Sequence, residues 1–285
     1  FSDRGGNDVD LLEAGEWILA PKDAEGNPHP ELAPDVVNNS WGGGPGLDEW
    51  YRPMVQNWRA ANIFPVFAAG NNGSAGEGWV STPANYPESF AVAATDHDNA
   101  LAWFSSRGPG PYDETKPDVS APGFNIRSSI PTNDYELMSG TSMATPHITG
   151  VVALLKQANA SLTIDQIEEI LFDTAIPLTD TEFPSSPNYG YGHGFVNVYN
   201  AIKTFNNGNG MINGVVVHDG KDTSNPTFQH IAPNFIYDQV VLPLTVEVQD
   251  NISVETVEIQ YLAGQQWKTV KAARTAGDFK NGTFQ

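Results

Sequence analysis

The chain has 285 residues, enough for one large domain with a smaller module beside it. Its 34 acidic residues against 14 basic ones leave a net charge of −20, which repels phosphate backbones and anionic lipid, so neither nucleic acid nor a membrane surface fits as a partner. With no cysteine it excludes disulfides, thiol catalysis and cysteine-held zinc, and no stretch nears the ~20 apolar residues of a membrane span.

The opening FSDRGGNDVD lacks an initiator Met and a basic, apolar signal pattern, and reads as the middle of a longer protein. In DLLEAGEWILA (10–20), Leu11, Leu12, Gly15, Ile18 and Leu19 recur at helical spacing, which predicts an amphipathic helix. DVVNNSW (35–41) and IFPVFAAG (63–70) are short apolar runs on either side of the helical LDEWYRPMVQNWRAAN, a strand–helix–strand unit that implies a parallel sheet. SFAVAAT (89–95) predicts another buried strand, WFSSRGPGPYDETKPDVSAPG a long Gly- and Pro-rich passage, and 142–158 a long apolar helix. In open α/β sheets the ligand crevice lies beyond the carboxyl ends of the strands, where Gly70 and Asn71 fall.

Near NNGNGMING (206–214) the texture changes to a Gly/Asn-rich linker followed by strands alone. Leu242, Leu244, Val246 and Val248 alternate, as do Val257, Ile259 and Tyr261, so one face packs and the other meets water. The reading is a three-layer α/β domain with a mostly parallel sheet over 1–207, incomplete at its N-terminus. A truncated all-β module, sandwich-like in the immunoglobulin or fibronectin manner, follows over 208–285.

GTSMATPH (140–147) has two readings. A Thr-Ser pair before an apolar run can simply cap a helix. Alternatively Ser142 is a nucleophile, which needs an adjacent general base and preorganised donors for the oxyanion it creates. Asn71, in GNNG, is by itself an ordinary turn residue.

Taken with its neighbours, GTSMATPHITGVVALL resembles the serine-bearing signature of the subtilisin-like serine peptidases, and VFAAGNNG resembles that family's oxyanion-asparagine segment. VVNNSWG, STPANYP, KPDVSAPG and YGYGHGFVNVYNA are similar to further family segments, in family order; LLEAGEWILAPKDAEGNPHPELAPDVVNNSWGG resembles the bacillopeptidase F branch. The resemblance implies a secreted, extracellular, monomeric serine endopeptidase acting on protein or peptide substrates, with Ser142 as nucleophile and Asn71 as oxyanion donor. No cofactor is implied for catalysis. Substrate would lie along Ser40, Trp41 and Gly42, opposite Ala68, Ala69 and Gly70, with Asn72 and Ser81 at the rim and floor of an uncharged pocket; Trp41 could equally pack in the core. Asp118 with the carbonyls of Ala84 and Tyr86 matches a place where relatives hold a cation, structural calcium here, although Lys116 stands where some relatives carry an acid.

The family's histidine and aspartate motifs, of HGT and DTG type, are absent from the sequence. His147 is expected to be a packed, hydrogen-bonded residue pointing into the core, and His29, His97, His193, His218 and His230 have no matching context. The chain therefore reads as a fragment whose catalytic Asp and His lie upstream, and as inactive alone. A non-catalytic scaffold and an extracellular binding or adhesion module are the alternatives.

Overall fold

In the computed structural model the described residues are 7–204, 210–215, 225–230, 244–250, 254, 256–263, 266–278 and 280–285. His218 and Leu242 lie outside them. The chain divides into two compact units, Phe1–Ala201 and Ile202–Gln285.

In the first unit, helix α1 (Asp8–Leu19) starts at Asn7, whose side chain accepts from the Asp10 N–H at 2.9 Å, with Asp8 and Asp10 facing the positive helix end. Strand β1 (Val36–Asn39), helix α2 (Arg52–Ala60), β2 (Phe64–Ala68), β3 (Phe90–Thr95) and β4 (Val119–Pro122) follow. The four strands pair in parallel in the order β1-β2-β3-β4. β4 arises within the passage read as Gly- and Pro-rich coil, because Val119, Ser120 and Ala121 are fully buried beside β3 while the flanking prolines hide so short a run. β2 and β3 are buried along their whole length, whereas β1, with no strand on its outer edge among the described residues, is half-exposed.

Helices cover both faces of this sheet. Met54, Val55 and Trp58 of α2 share a core with Phe67, Ala69 and Ala91, and the Trp58 Nε1–H donates to the Gly15 carbonyl of α1 at 3.0 Å. The next-in-line residues point the other way, toward helix α3 (Thr141–Ala158), which packs across all four strands. Gly123 makes that approach possible, since a Cβ there would come within 2.5 Å of Ala94 and 3.2 Å of Ala144. A hairpin of β5 (Ile126–Ile130) and β6 (Asp134–Met138) precedes α3, turned by Thr132 and Asn133 at φ 73° and 64°. Helix α4 (Ile164–Thr174) follows α3 behind a Thr163–Gln166 capping box, then helix α5 (Val198–Lys203).

The second unit is antiparallel. β7 (Gly210–Val215), β8 (Thr227–His230), β9 (Val246–Gln249), β10 (Thr256–Ala263), β11 (Gln266–Ala272), β12 (Arg274–Gly277) and β13 (Asn281–Phe284) form sheets ordered β11-β10-β7 and β12-β13-β9-β8. β7 occupies part of the segment read as linker. The period of two is realised: Val246 and Val248 are buried and Glu247 and Gln249 exposed, and Val254, Val257 and Phe284 join them in one apolar cluster.

Candidate active site

Ser142 is the second residue of α3. Its N–H belongs to the first helical turn, whose amides have no intrahelical acceptor and carry the helix's positive end. Pro146 sits four residues on, beyond the first turn, so the N–H that would have bonded the Ser142 carbonyl does not exist. Ser40, just after β1, supplies the replacement: its Oγ–H donates to the Ser142 carbonyl at 2.9 Å and its oxygen accepts from Asn38 Nδ2 at 3.0 Å. In return the Ser142 Oγ–H donates to the Ser40 carbonyl at 3.3 Å. Pro146 thus ties the serine turn to the end of β1, a link the sequence reading did not contain.

Asn71 follows β2 and is exposed. Its Oδ1 accepts from the Thr141 N–H at 2.9 Å and the Thr141 hydroxyl at 3.0 Å, which fixes the plane of the amide. The Nδ2 is left on the side of Gly140, where a Cβ would be 3.5 Å from Nδ2 and 3.7 Å from the Ser142 nitrogen. Asn71 Nδ2 and the Ser142 nitrogen therefore lie close to one another beside Gly140, with Met143 Sδ 3.6 Å from the same point. The Thr141 hydroxyl also accepts from the Gly70 N–H at 3.1 Å, so one buried side chain positions both strand-end residues. Thr141 was not singled out from sequence, although its place before Ser142 was visible.

The expected substrate walls also meet. Gly70 has φ +108°, and a Cβ there would collide with Ser81 Oγ at 2.3 Å and Ser106 Oγ at 2.8 Å. From the opposite side, a Cβ on Gly42 would be 3.2 Å from Ser81 Cβ. Ser81 therefore lies between the Gly42 and Gly70 backbones, held by its N–H to the Ala69 carbonyl at 2.9 Å. Ser106, another residue missed in the sequence, accepts the Asn72 N–H at 3.0 Å and donates its own N–H to the Gly70 carbonyl at 2.9 Å. Ala68 and Ala69 are buried at the end of β2. Trp41 packs: its ring meets Tyr51 and Phe67 edge-on at 5.1 and 5.7 Å, and its Nε1–H donates to Asn39 Oδ1 at 3.1 Å.

Among the described residues no histidine is hydrogen-bonded to Ser142. His147 donates from Nδ1 to the Met143 carbonyl at 2.9 Å, but it is exposed rather than packed in the core. The helix buries Ala144, Ile148, Val151, Val152 and Leu155 against the sheet, and His147, at the edge of that face beside Val151, is turned to solvent. His29 lies between Asp23 and Glu31 at 3.1 and 2.8 Å, His97 pairs with Asp98, and His230 bonds the Thr245 carbonyl. His193 stacks on Phe172 with centroids 4.0 Å apart; burial pushes its pKa below the usual value of 6.5 against the opposing charges of Asp118 and Asp173.

The residues marked for a cation do not fit one as they stand. Asp118 Oδ2 already accepts from the Ala91 N–H at 2.6 Å and from the Lys116 ammonium at 2.8 Å, and the Tyr86 carbonyl accepts the Ser89 N–H at 3.1 Å. A calcium ion there would stand against a buried positive charge on the single carboxylate of the set. Ala84 is buried nearby in the sequence turn, with no ligand role supported by these contacts.

The Subtilase family model, Peptidase_S8, matches residues 1–194. The chain is 57% identical over 290 residues to Bacillopeptidase F of Bacillus subtilis (strain 168), spanning 100% of this chain and 20% of that protein. It is 38% identical over 161 residues to M-protease of Shouchella clausii (strain KSM-K16), 56% of this chain and 38% of that one. Among solved structures, a serine-to-alanine mutant of the protease domain of PatA matches with a TM-score of 0.57 at 26% identity, over 72% of this chain and 67% of that one. The Prenylagaramide maturation protease PagA shares the fold at 23% identity, with the same TM-score over 72% of this chain and 70% of that one. The chain thus spans about a fifth of the length of Bacillopeptidase F.

Proposed function

Since the chain belongs to the subtilase family, we propose that it carries the nucleophile and oxyanion half of a serine endopeptidase site, completed by a longer protein. Ser142 Oγ attacks the peptide carbonyl and forms an acyl-enzyme, its proton passing to a histidine outside these residues. The oxyanion is held by Asn71 Nδ2 and the Ser142 N–H. The observation that carries this reading is the Thr141 clamp on Asn71 Oδ1, which leaves Nδ2 beside the Ser142 amide. A turn residue needs no such clamp; an oxyanion donor must be held before charge develops.

The substrate is an extended peptide bonded by main chain along Ser40–Gly42, with Ala68–Gly70 opposite; Asn72 and Ser81 line an uncharged pocket, so selectivity is broad and not for basic side chains. The names of the relatives, proteases all, support protein or peptide substrates. The enzyme is taken to be secreted, extracellular and monomeric; no helix among the described residues is long and apolar enough to cross a membrane. The two antiparallel sheets around Val246, Val257 and Phe284 support a sandwich-like module after the peptidase unit. The test is hydrolysis of a denatured protein and of peptide libraries by the full-length protein. Ser142→Ala should abolish it, and cleavage dominated by Arg or Lys before the cut would refute the pocket reading. Undiminished cleavage by Ser142→Ala would overturn the assignment of the nucleophile.

A further inference from the structure

Lys116 is one of two lysines buried among the described residues of the first unit, at 2% exposure, and it stands outside the peptidase chemistry. Its Nζ donates to the Ser89 carbonyl at 2.5 Å and to Asp118 Oδ2 at 2.8 Å. The Ser89 hydroxyl is itself buried without a hydrogen-bond partner. These oxygens join two parallel neighbours: Ser89 immediately precedes β3, and Asp118 immediately precedes β4 and also accepts the Ala91 N–H. The stem is sheathed, with Lys116 Cγ 3.5 Å from where a Cβ on Gly110 would stand.

A carbonyl and one carboxylate oxygen on a compact positive charge make an oxygen site for a singly charged cation. The side chain delivers that charge covalently, so no ion need be recruited. Nearby, Arg59 of α2 donates to the Glu88 carbonyl at 3.2 Å and pairs with Glu168 of α4, giving the turn before β3 a second tethered cation. Each cation has a carboxylate partner: Lys116 pairs with Asp118, and Arg59 with both Glu168 and Asp165.

We propose that the Lys116 ammonium is a built-in replacement for a metal ion, filling the oxygen site that joins the starts of β3 and β4 and making this part of the fold independent of dissolved cations. The proposal goes beyond the peptidase reading, and its readout does not depend on activity. It requires that the nitrogen be replaceable by a free ion of like charge and size. Methionine at this position ends one atom short of the nitrogen, leaving its place open. Potassium has the charge of an ammonium and nearly its radius. Glutamate instead gives a second carboxylate, the donor set for a divalent ion.

The test is thermal unfolding of the full-length protein in a Ser142→Ala background, which keeps self-digestion out. Tm is compared in potassium chloride and in tetramethylammonium chloride at equal ionic strength, with and without calcium. The parent should melt alike in both monovalent salts. Lys116→Met should lose about 5 °C or more in the tetramethylammonium salt and regain at least half of the loss in potassium. Lys116→Glu should regain it with calcium, by more than calcium shifts the parent. Equal loss in both salts for Lys116→Met would overturn the proposal, as would no loss at all. A cation response of the parent that Asp118→Asn removes would also overturn it. Should Lys116→Met not fold, Lys116→Glu in calcium decides, and failure of both variants in every salt counts against the proposal, because no free ion would then replace the ammonium.

Discussion

Replacing Ser40 with alanine removes the hydroxyl that caps the Ser142 carbonyl at 2.9 Å, and its cost should depend on a residue it does not touch. With Pro146 present, the partly buried carbonyl has no helical donor, so Ser40→Ala should destabilise the protein by about 1 kcal/mol, the net worth of one such bond. In a Pro146→Ala background an N–H returns four residues after Ser142 and takes the carbonyl itself. Ser40→Ala should then cost less than half as much, giving a coupling of roughly 0.5–1 kcal/mol between the two positions. The cycle is read by equilibrium denaturation in guanidinium of the full-length protein carrying Ser142→Ala. Additive effects, with Ser40→Ala costing the same in both backgrounds, would refute the reasoning that Pro146 is what obliges Ser40 to cap the serine turn.

Asn71→Gly should lower kcat of the full-length enzyme by about 10²–10³, the cost recorded for such a donor in a family member, with little change in KM; a loss expressed mainly in KM would assign Asn71 to ground-state binding. Thr141→Val keeps the shape and the backbone N–H bond to Asn71 Oδ1 but removes the hydroxyl's bond to that oxygen and the acceptor of the Gly70 N–H, and should cost kcat roughly tenfold, whereas Thr141→Ser should restore most of it; equal activity of both variants would remove the positioning role. Burial holds the His193 pKa below 6.5, so below that value the unfolded chain takes up a proton that the folded chain refuses, and stability falls as pH drops through the window. His193→Phe, which keeps a ring on Phe172, should flatten Tm against pH between about pH 5 and 7; an unchanged slope would place the acid sensitivity elsewhere. The isolated 285-residue chain, with its half-exposed β1 edge, should self-associate in size-exclusion chromatography, and a monodisperse monomer with a sharp melt would contradict that expectation.

Much of the α/β unit was legible because its elements are long or strongly patterned. The α1 stripe, the α2 run and the buried runs of β2 and β3 fall within a few residues of where spacing put them. β4 was not legible: four residues ending in Pro122 and following Pro117 look like coil until the neighbouring β3 supplies the hydrogen bonds. The β5–β6 hairpin was hidden for a related reason, since its strands are largely exposed and its turn uses Thr132 and Asn133 rather than glycine at positive φ. At the site, Ser142 and Asn71 were readable from motif, but the contacts that orient them come from residues distant in sequence. Ser40 reaches Ser142 across 102 positions and Thr141 reaches Asn71 across 70. Trp41 shows the same limit, since only its packing on Tyr51 and Phe67 decides between core and substrate contact. His147 lies at the edge of the buried face of α3, where spacing alone leaves core and solvent both open, and the structure exposes it.

The most direct measurement is covalent labelling of the full-length protein with a fluorophosphonate probe, followed by mass mapping of the modified residue. Ser142 should carry the label, Ser142→Ala should abolish it, and the 285-residue chain alone should label negligibly, since none of its described histidines bonds Ser142. Strong labelling of the isolated chain would mean that one of its own groups serves as base. An unlabelled Ser142 in the full-length protein, or label retained in Ser142→Ala, would contradict the assignment of this residue as the nucleophile.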